Sequence, residues 1–160
     1  MILGIDPGSQ LTGWGLVDHS GNRSVYLASG AFKLGSRRPL PERLLRLSEG
    51  LEDLLARYEP RHCAIEQIFT AKNARSALVL GHARGVILCA MARRGVLLHE
   101  YAPTQIKQAI VGVGRATKAQ VQLMVGALLA HRGALQEDEA DALAVALTHA
   151  ACSGLAARIS

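Results

Sequence analysis

Residues 2–6 read Ile-Leu-Gly-Ile-Asp and stop against Pro7-Gly8-Ser9. A short apolar run bounded by a Pro-Gly turn reads as a buried strand, and this one ends on a carboxylate that the next residues turn away from the core. Cys63-Ala64-Ile65-Glu66 is a second case, another apolar run ending on an acid. Two buried strands that each deliver an acid at their C-terminal end are hard to explain as packing. They are easy to explain as parts of an acidic, metal-binding site.

The rest of the pattern alternates strand and helix. Residues 11–17 and 25–32 read as further strands around the turn cluster Asp18-His19-Ser20-Gly21-Asn22, so the first three strands form an antiparallel meander. Leu40, Leu44, Leu47, Leu51, Leu54 and Leu55 recur at helical spacing, and Pro60 stops that helix. The strand ending at Glu66 follows and runs parallel to the first if the helix is a crossover. A helix over about 74–94 comes next, then a strand over 96–99 and a short helix from Pro103 to about Val111. Gly112-Val113-Gly114 breaks the chain. Thr117 and Gln120 form a capping box opening a helix to about His131, and a last, Ala-rich helix starts near Gln136. With 160 residues and no repeat or linker, one α/β domain over residues 1–160 is expected.

The last helix adds acids to those of the strands. Asp138 and Asp141 are three apart and share a face, whose core stripe is Ala140, Leu143, Ala144 and Leu147. Glu137 falls on the border of that stripe with Asp141, so helix geometry alone does not choose between Glu137 and Asp138. Each acid alone also reads as a turn or helix cap. Together they would repel unless cations sat among them. Hard divalent ions such as Mg²⁺ or Mn²⁺ take oxygen ligands, and a pair about 3.5–4 Å apart suits phosphodiester hydrolysis. The charge balance agrees: 18 Lys+Arg against 13 Asp+Glu gives +5, as a polyanionic substrate would favour.

These residues resemble the RuvC family of Holliday-junction resolvases. The resemblance is carried by Gly4-Ile5-Asp6-Pro7-Gly8-Ser9 with Thr12-Gly13-Trp14-Gly15, and by Ile65-Glu66-Gln67-Ile68-Phe69-Thr70-Ala71-Lys72-Asn73 with Ser76-Ala77-Leu78. Gln105-Ile106-Lys107-Gln108 with Val111-Gly112-Val113-Gly114 and Asp138-Glu139-Ala140-Asp141-Ala142-Leu143-Ala144 complete it. It implies a ribonuclease-H-like fold, a five-stranded mixed sheet of three antiparallel and two parallel strands flanked by helices. It implies a homodimer that nicks opposing strands of a four-way DNA junction symmetrically, leaving 5′-phosphates and 3′-hydroxyls. Asp6, Glu66, Asp138 and Asp141 become the catalytic metal ligands, so the resemblance selects Asp138 over Glu137. Some members carry His near that third position, where this chain has Asp138. Coupling to a RuvA–RuvB branch-migration complex is also implied.

Around the acids, Phe69 lies in a loop with Lys72, Asn73 and Arg75. An aromatic among cations can stack on bases at a distorted junction or lie as a lid over the core. Lys107 and Lys118 flank the glycine break and are expected to contact DNA near the scissile phosphate by the resemblance. Arg75, Arg84 and Arg115 are weaker phosphate-contact candidates. Ala77, Gly81, Gly85 and Cys89 recur every four residues, allowing close approach of a partner helix, as a dimer would need, or of the sheet.

Three cysteines without a CxxC point to buried thiols in a reducing cytoplasm. No HxH or HExxH pair occurs, so zinc is not expected, and His82 and His149 read as core-edge residues. No basic segment precedes a long apolar one, and residues 142–157 are too short and too weakly apolar to span a bilayer. The Gly-x-Asp opening also introduces the phosphate hairpin of actin-like ATPases, but 160 residues leave no room for their second domain. A junction-binding dimer without catalysis would lack one of the acids. A ribonuclease H acting on RNA–DNA hybrids would use the same ions and chemistry.

Overall fold

A computed structural model describes residues 1–21, 23–67 and 74–159, with side chains through residue 153. The strands are β1 (Ile2–Asp6), β2 (Leu11–Ser20), β3 (Arg23–Lys33), β4 (His62–Glu66) and β5 (Leu97–Tyr101). The helices are α1 (Leu40–Tyr58), α2 (Ala74–Arg93), α3 (Pro103–Val111), α4 (Lys118–Leu128) and α5 (Glu137–Ile159). The sheet order is β3-β2-β1-β4-β5. β1–β2 and β2–β3 are antiparallel, while β1–β4 and β4–β5 are parallel.

Alternation along the central strands separates two cores. Leu3, Ile5, Cys63 and Ile65 face α1 and α2, burying Leu47, Leu51, Ile87 and Met91 with them. Ile2, Val17 and Ala64 face the other way, toward α3, α4 and α5. α5 is apolar almost all round because it is enclosed: every residue from Ala140 to Ala150 except Asp141 is 6 % exposed or less, with Leu143, Ala144, Val145 and Ala146 at 0–1 %. A helix hydrophobic on every face belongs inside a protein.

Small residues let that helix lie close to the sheet. A Cβ at Gly4 would drive into the Ala142 carbonyl of α5, and one at Gly13 into the carbonyl and Cβ of Asp138. A Cβ at Gly15 would meet the Leu143 side chain at 2.6 Å. Gly4 and Gly15 pair across β1–β2, and Gly13 pairs with Asp6. The glycines therefore form a seam on which α5 rests, and the seam brings the start of α5 to Asp6.

Several boundaries differ from the sequence reading. β2 and β3 run on through the residues read as a turn, because Asp18, His19 and Ser20 continue the ladder with Val25, Ser24 and Arg23. The His19 Nδ1–Ser24 Oγ contact at 3.0 Å adds a side-chain bond there. α4 stops at Leu128, short of His131, where Ala130 enters a left-handed backbone conformation (φ 49°). The Thr117–Gln120 capping box forms, with Thr117 N–H donating to Gln120 Oε1 at 2.8 Å. Of the thiols only Cys63 is buried; Cys89 and Cys152 are exposed on outer faces of α2 and α5. His82 is exposed on α2, not at the core edge.

The seam makes a measurable contrast. Gly4→Ala should lower stability by about 1–3 kcal/mol through overpacking against backbone. Gly126→Ala in α4, where a Cβ meets nothing within 4 Å, should raise it by up to about 1 kcal/mol through helix propensity. Urea denaturation of the two variants reads the difference.

Candidate active site

Asp6 and Glu66 are the last residues of two adjacent parallel strands, whose pairing runs from Ile2–His62 to Ile5–Ile65. Neighbouring strands lie about 4.8 Å apart, so the two acids emerge side by side at the carboxyl edge, where open α/β sheets gather ligands. The chain beyond Asp6 is braced. The Thr12 hydroxyl donates to the Gly8 carbonyl at 3.1 Å, and Arg43 of α1 donates to the Ser9 carbonyl at 2.7 Å. Glu66 is braced from α2: Arg84 donates to its carbonyl oxygen at 3.0 Å and pairs with Glu100 of β5 at 2.6 Å. Arg84, read from sequence as a weak phosphate-contact candidate, is thus committed to the strand end; the pairing depends on β4–β5 adjacency, which sequence spacing does not reveal.

A pocket of about 150 Å³ opens at this edge. Asp6, Glu66, Asp141, Lys107 and Lys118 line it over an apolar floor that includes Val121 and Val145. Lys107 and Lys118, on either side of the Gly112–Gly114 break, come together here. Lys118 opens α4 and donates to Glu137 at 2.7 Å and Asp141 at 3.1 Å. Asp138 sits against Gly13, the cross-strand partner of Asp6.

The acids burden one another. Burial pushes the Asp6 carboxyl up from its ordinary value to about 7; Asp141, Glu66 and Asp138 add repulsion, and Lys118 opposes it. Burial also raises Glu66, with Asp141 adding to the shift and Lys118 and Lys107 opposing it. Glu137 behaves differently: it is exposed, and its hydrogen bond to Lys118 holds it below the usual range. Asp138 acts on Asp6 whereas Glu137 is occupied by Lys118, which separates two residues that helix geometry alone left equivalent. Glu137 and Asp141 hold Lys118 above the ordinary lysine value, chiefly through the hydrogen bond that the ammonium donates to Glu137.

A set of oxygen donors with mutually repelling charges fits a hard divalent cation. Among the described residues neither imidazole nor thiolate lines this pocket, so the donors shown are those of a hard cation.

The remaining expected contacts divide into three. Phe69, Lys72 and Asn73 lie outside the described residues. Arg75 is exposed at the start of α2. Ala77, Gly81 and Gly85 face outward, and a Cβ at either glycine would meet nothing within 4 Å; α2 packs on the sheet instead through Ala83, Ile87, Ala90 and Met91. Their face forms a shallow groove with Leu44 and Leu78, the latter 63 % exposed. Among the described residues, α2 is the one helix long and apolar enough by length and composition to cross a bilayer.

Residues 2–149 match the family model for crossover junction endodeoxyribonuclease RuvC. A protein of that description from Geobacter sp. strain M21 is 49 % identical over 157 residues, covering 98 % of this chain and 96 % of the relative. One from Dichelobacter nodosus is 51 % identical over 149 residues, covering 93 % and 84 %. The structure of Thermus thermophilus RuvC in complex with a Holliday junction substrate superposes with a TM-score of 0.92 at 35 % identity, over 97 % of this chain and 95 % of that one. The sheet order, the flanking helices and these matches agree on a ribonuclease-H-like architecture, and the chain belongs to the RuvC family.

Proposed function

We propose that this chain is a metal-dependent endonuclease that resolves four-way DNA junctions by paired, symmetric nicks. The observation that carries the reading is the meeting of Asp6, Glu66 and Asp141 with Lys107 and Lys118 in one pocket, on the frame of a family described as crossover junction endodeoxyribonucleases. Asp6, Glu66, Asp138 and Asp141 would hold two Mg²⁺ or Mn²⁺ ions. Such a pair would stabilise both the attacking and the leaving oxygen of a phosphodiester displacement.

The chain's own residues supply position and charge. Asp6 and Glu66 stand on rigid strand ends, and in-line attack tolerates little misplacement. Lys107 and Lys118 place cations at the pocket for a phosphate oxygen. Phe69, Lys72, Asn73 and Arg75 are further contacts to the junction DNA. The products are a 5′-phosphate and a 3′-hydroxyl. The protein works in the cytoplasm, in recombination and repair alongside a RuvA–RuvB complex.

Two opposing strands require two active sites in fixed relation. We place the homodimer contact on the outward face of α2 at Ala77, Gly81 and Gly85, where small residues admit a second helix closely. An exposed apolar helix face of this kind marks an interaction surface. Gly81→Leu should convert the dimer to monomer in light scattering and abolish paired, though not single, nicking; a dimer that persists in Gly81→Leu rejects the assignment.

A nicking assay tests the activity. With Mg²⁺ or Mn²⁺, a synthetic four-way junction should receive paired nicks that linear duplex and an RNA–DNA hybrid do not. EDTA should abolish cutting, and Asp6→Asn should still bind the junction without cutting it. Equal cutting of linear duplex would defeat the resolvase reading and leave the nuclease one standing.

The raised Asp6 carboxyl yields a prediction for the metal-free protein. A folded value of about 7, above the ordinary 3.8, means that folding favours the protonated form. That contribution is present in full below about pH 4 and is lost as pH rises through 7. In EDTA, Asp6→Asn should therefore be more stable than the parent at pH 8, by on the order of 3 kcal/mol. The gain should shrink to nothing near pH 4. Thermal unfolding at the two pH values measures it.

A further inference from the structure

Three histidines that are far apart in sequence meet at the opposite end of the sheet from the acids. His62 opens β4, and His99 lies in β5. The register pairs His62 with Leu97 and Ala64 with His99, so the two imidazoles are diagonal neighbours. His149 comes from α5, eight residues beyond Asp141 and thus about 12 Å along the helix axis. It is 5 % exposed. His62 Nδ1 and His99 Nε2 are 3.1 Å apart. One ligating nitrogen from each ring lies within 4.8 Å of the others.

We infer that His62, His99 and His149 form a second metal site, separate from the carboxylates, for a single borderline transition ion, with zinc the best fit. Three imidazoles are a ligand set for zinc, copper, nickel or cobalt and a poor one for Mg²⁺ or Mn²⁺. Tetrahedral zinc with bonds of about 2.0–2.1 Å sets its nitrogens roughly 3.3 Å apart. The His62–His99 pair already has that separation. His99 and His149 stack with centroids 3.9 Å apart and planes 26° from parallel, so binding rotates these two rings to converge their lone pairs.

The surroundings suit ligation. Tyr101 Oη lies 2.8 Å from His149 Nδ1. With Nδ1–H donating to that oxygen, Nε2 is free for the metal, as outer partners of ligating histidines commonly arrange. Burial first, and then the neighbours His99, His62 and His19, lower His149 to about 4; burial and then His62 lower His99. Both shifts favour the neutral imidazole, which is the form that ligates a metal. Bound there, the ion cross-links β4, β5 and α5. Two of these elements carry Glu66 and Asp141.

Zinc uptake by Asp6→Asn protein decides the matter, since that variant weakens the carboxylate site. After chelation and return of Zn²⁺ in excess Mg²⁺, it should retain one equivalent per chain and gain thermal stability. Adding His62→Ala and His99→Asn should remove both effects, and Tyr101→Phe should weaken uptake about 10- to 100-fold. His62→Ala/His99→Asn alone should nick junctions normally in Mg²⁺. Equal uptake with and without the two histidines, or none in Asp6→Asn, overturns the site. If the combined variant does not fold, diethyl pyrocarbonate labelling of the parent settles it. Zinc should protect the half-buried His62 and His99 but leave the exposed His82 reactive; labelling of His62 and His99 that zinc does not slow sinks the proposal.

Discussion

The close seat of α5 on the glycines of β1 and β2 is the constraint from which the site follows. Helix and sheet ordinarily keep the distance their side chains require. At Gly4 and Gly13 there is no Cβ, and backbone of α5 occupies the space one would fill. The alanines of the helix serve the same end from their side. Without that approach Asp138 and Asp141 would stand a side-chain layer away from Asp6, and the charges that raise its carboxyl could not act on it as they do.

The arrangement concentrates like charge where burial makes charge expensive, and the chain answers with its own cation. Lys118 bridges Glu137 and Asp141 from the first residue of α4. Its position depends on the Thr117–Gln120 cap, which fixes where that helix begins. A cap that looks like a local device for helix stability thereby also aims an ammonium group at the acidic cluster.

Much of this was legible in the chain, for physical reasons. The short apolar runs ending in Asp6 and Glu66 announced buried strands with acids at their ends, and the leucine spacing announced α1. The parallel relation of β1 and β4 followed from the helix between them. What depended on tertiary pairing was hidden. Glu137 and Asp138 could not be separated by helix geometry, because the difference lies in Gly13 across the sheet and Lys118 on another helix. Arg84 looked like any solvated arginine until β4 and β5 were side by side. The histidine cluster was invisible for the same reason: it needs a strand register and two turns of α5, and no local spacing encodes it. The continued pairing of Asp18, His19 and Ser20 shows polar, turn-forming residues overruled by a ladder already under way.

Arg84 gives α2 a double character. Its guanidinium grips the Glu66 carbonyl and the Glu100 carboxylate, while Gly81 and Gly85 lie bare on the helix's outer side. Helix and side chain together act as a strut about 10 Å across, with the carboxylate edge of the sheet on one flank and open surface on the other. A body pressed against the open flank would bear on the strand end through a single stiff member, without any loop to absorb the load. Mechanical registration between that surface and the acids is therefore built into one secondary-structure element.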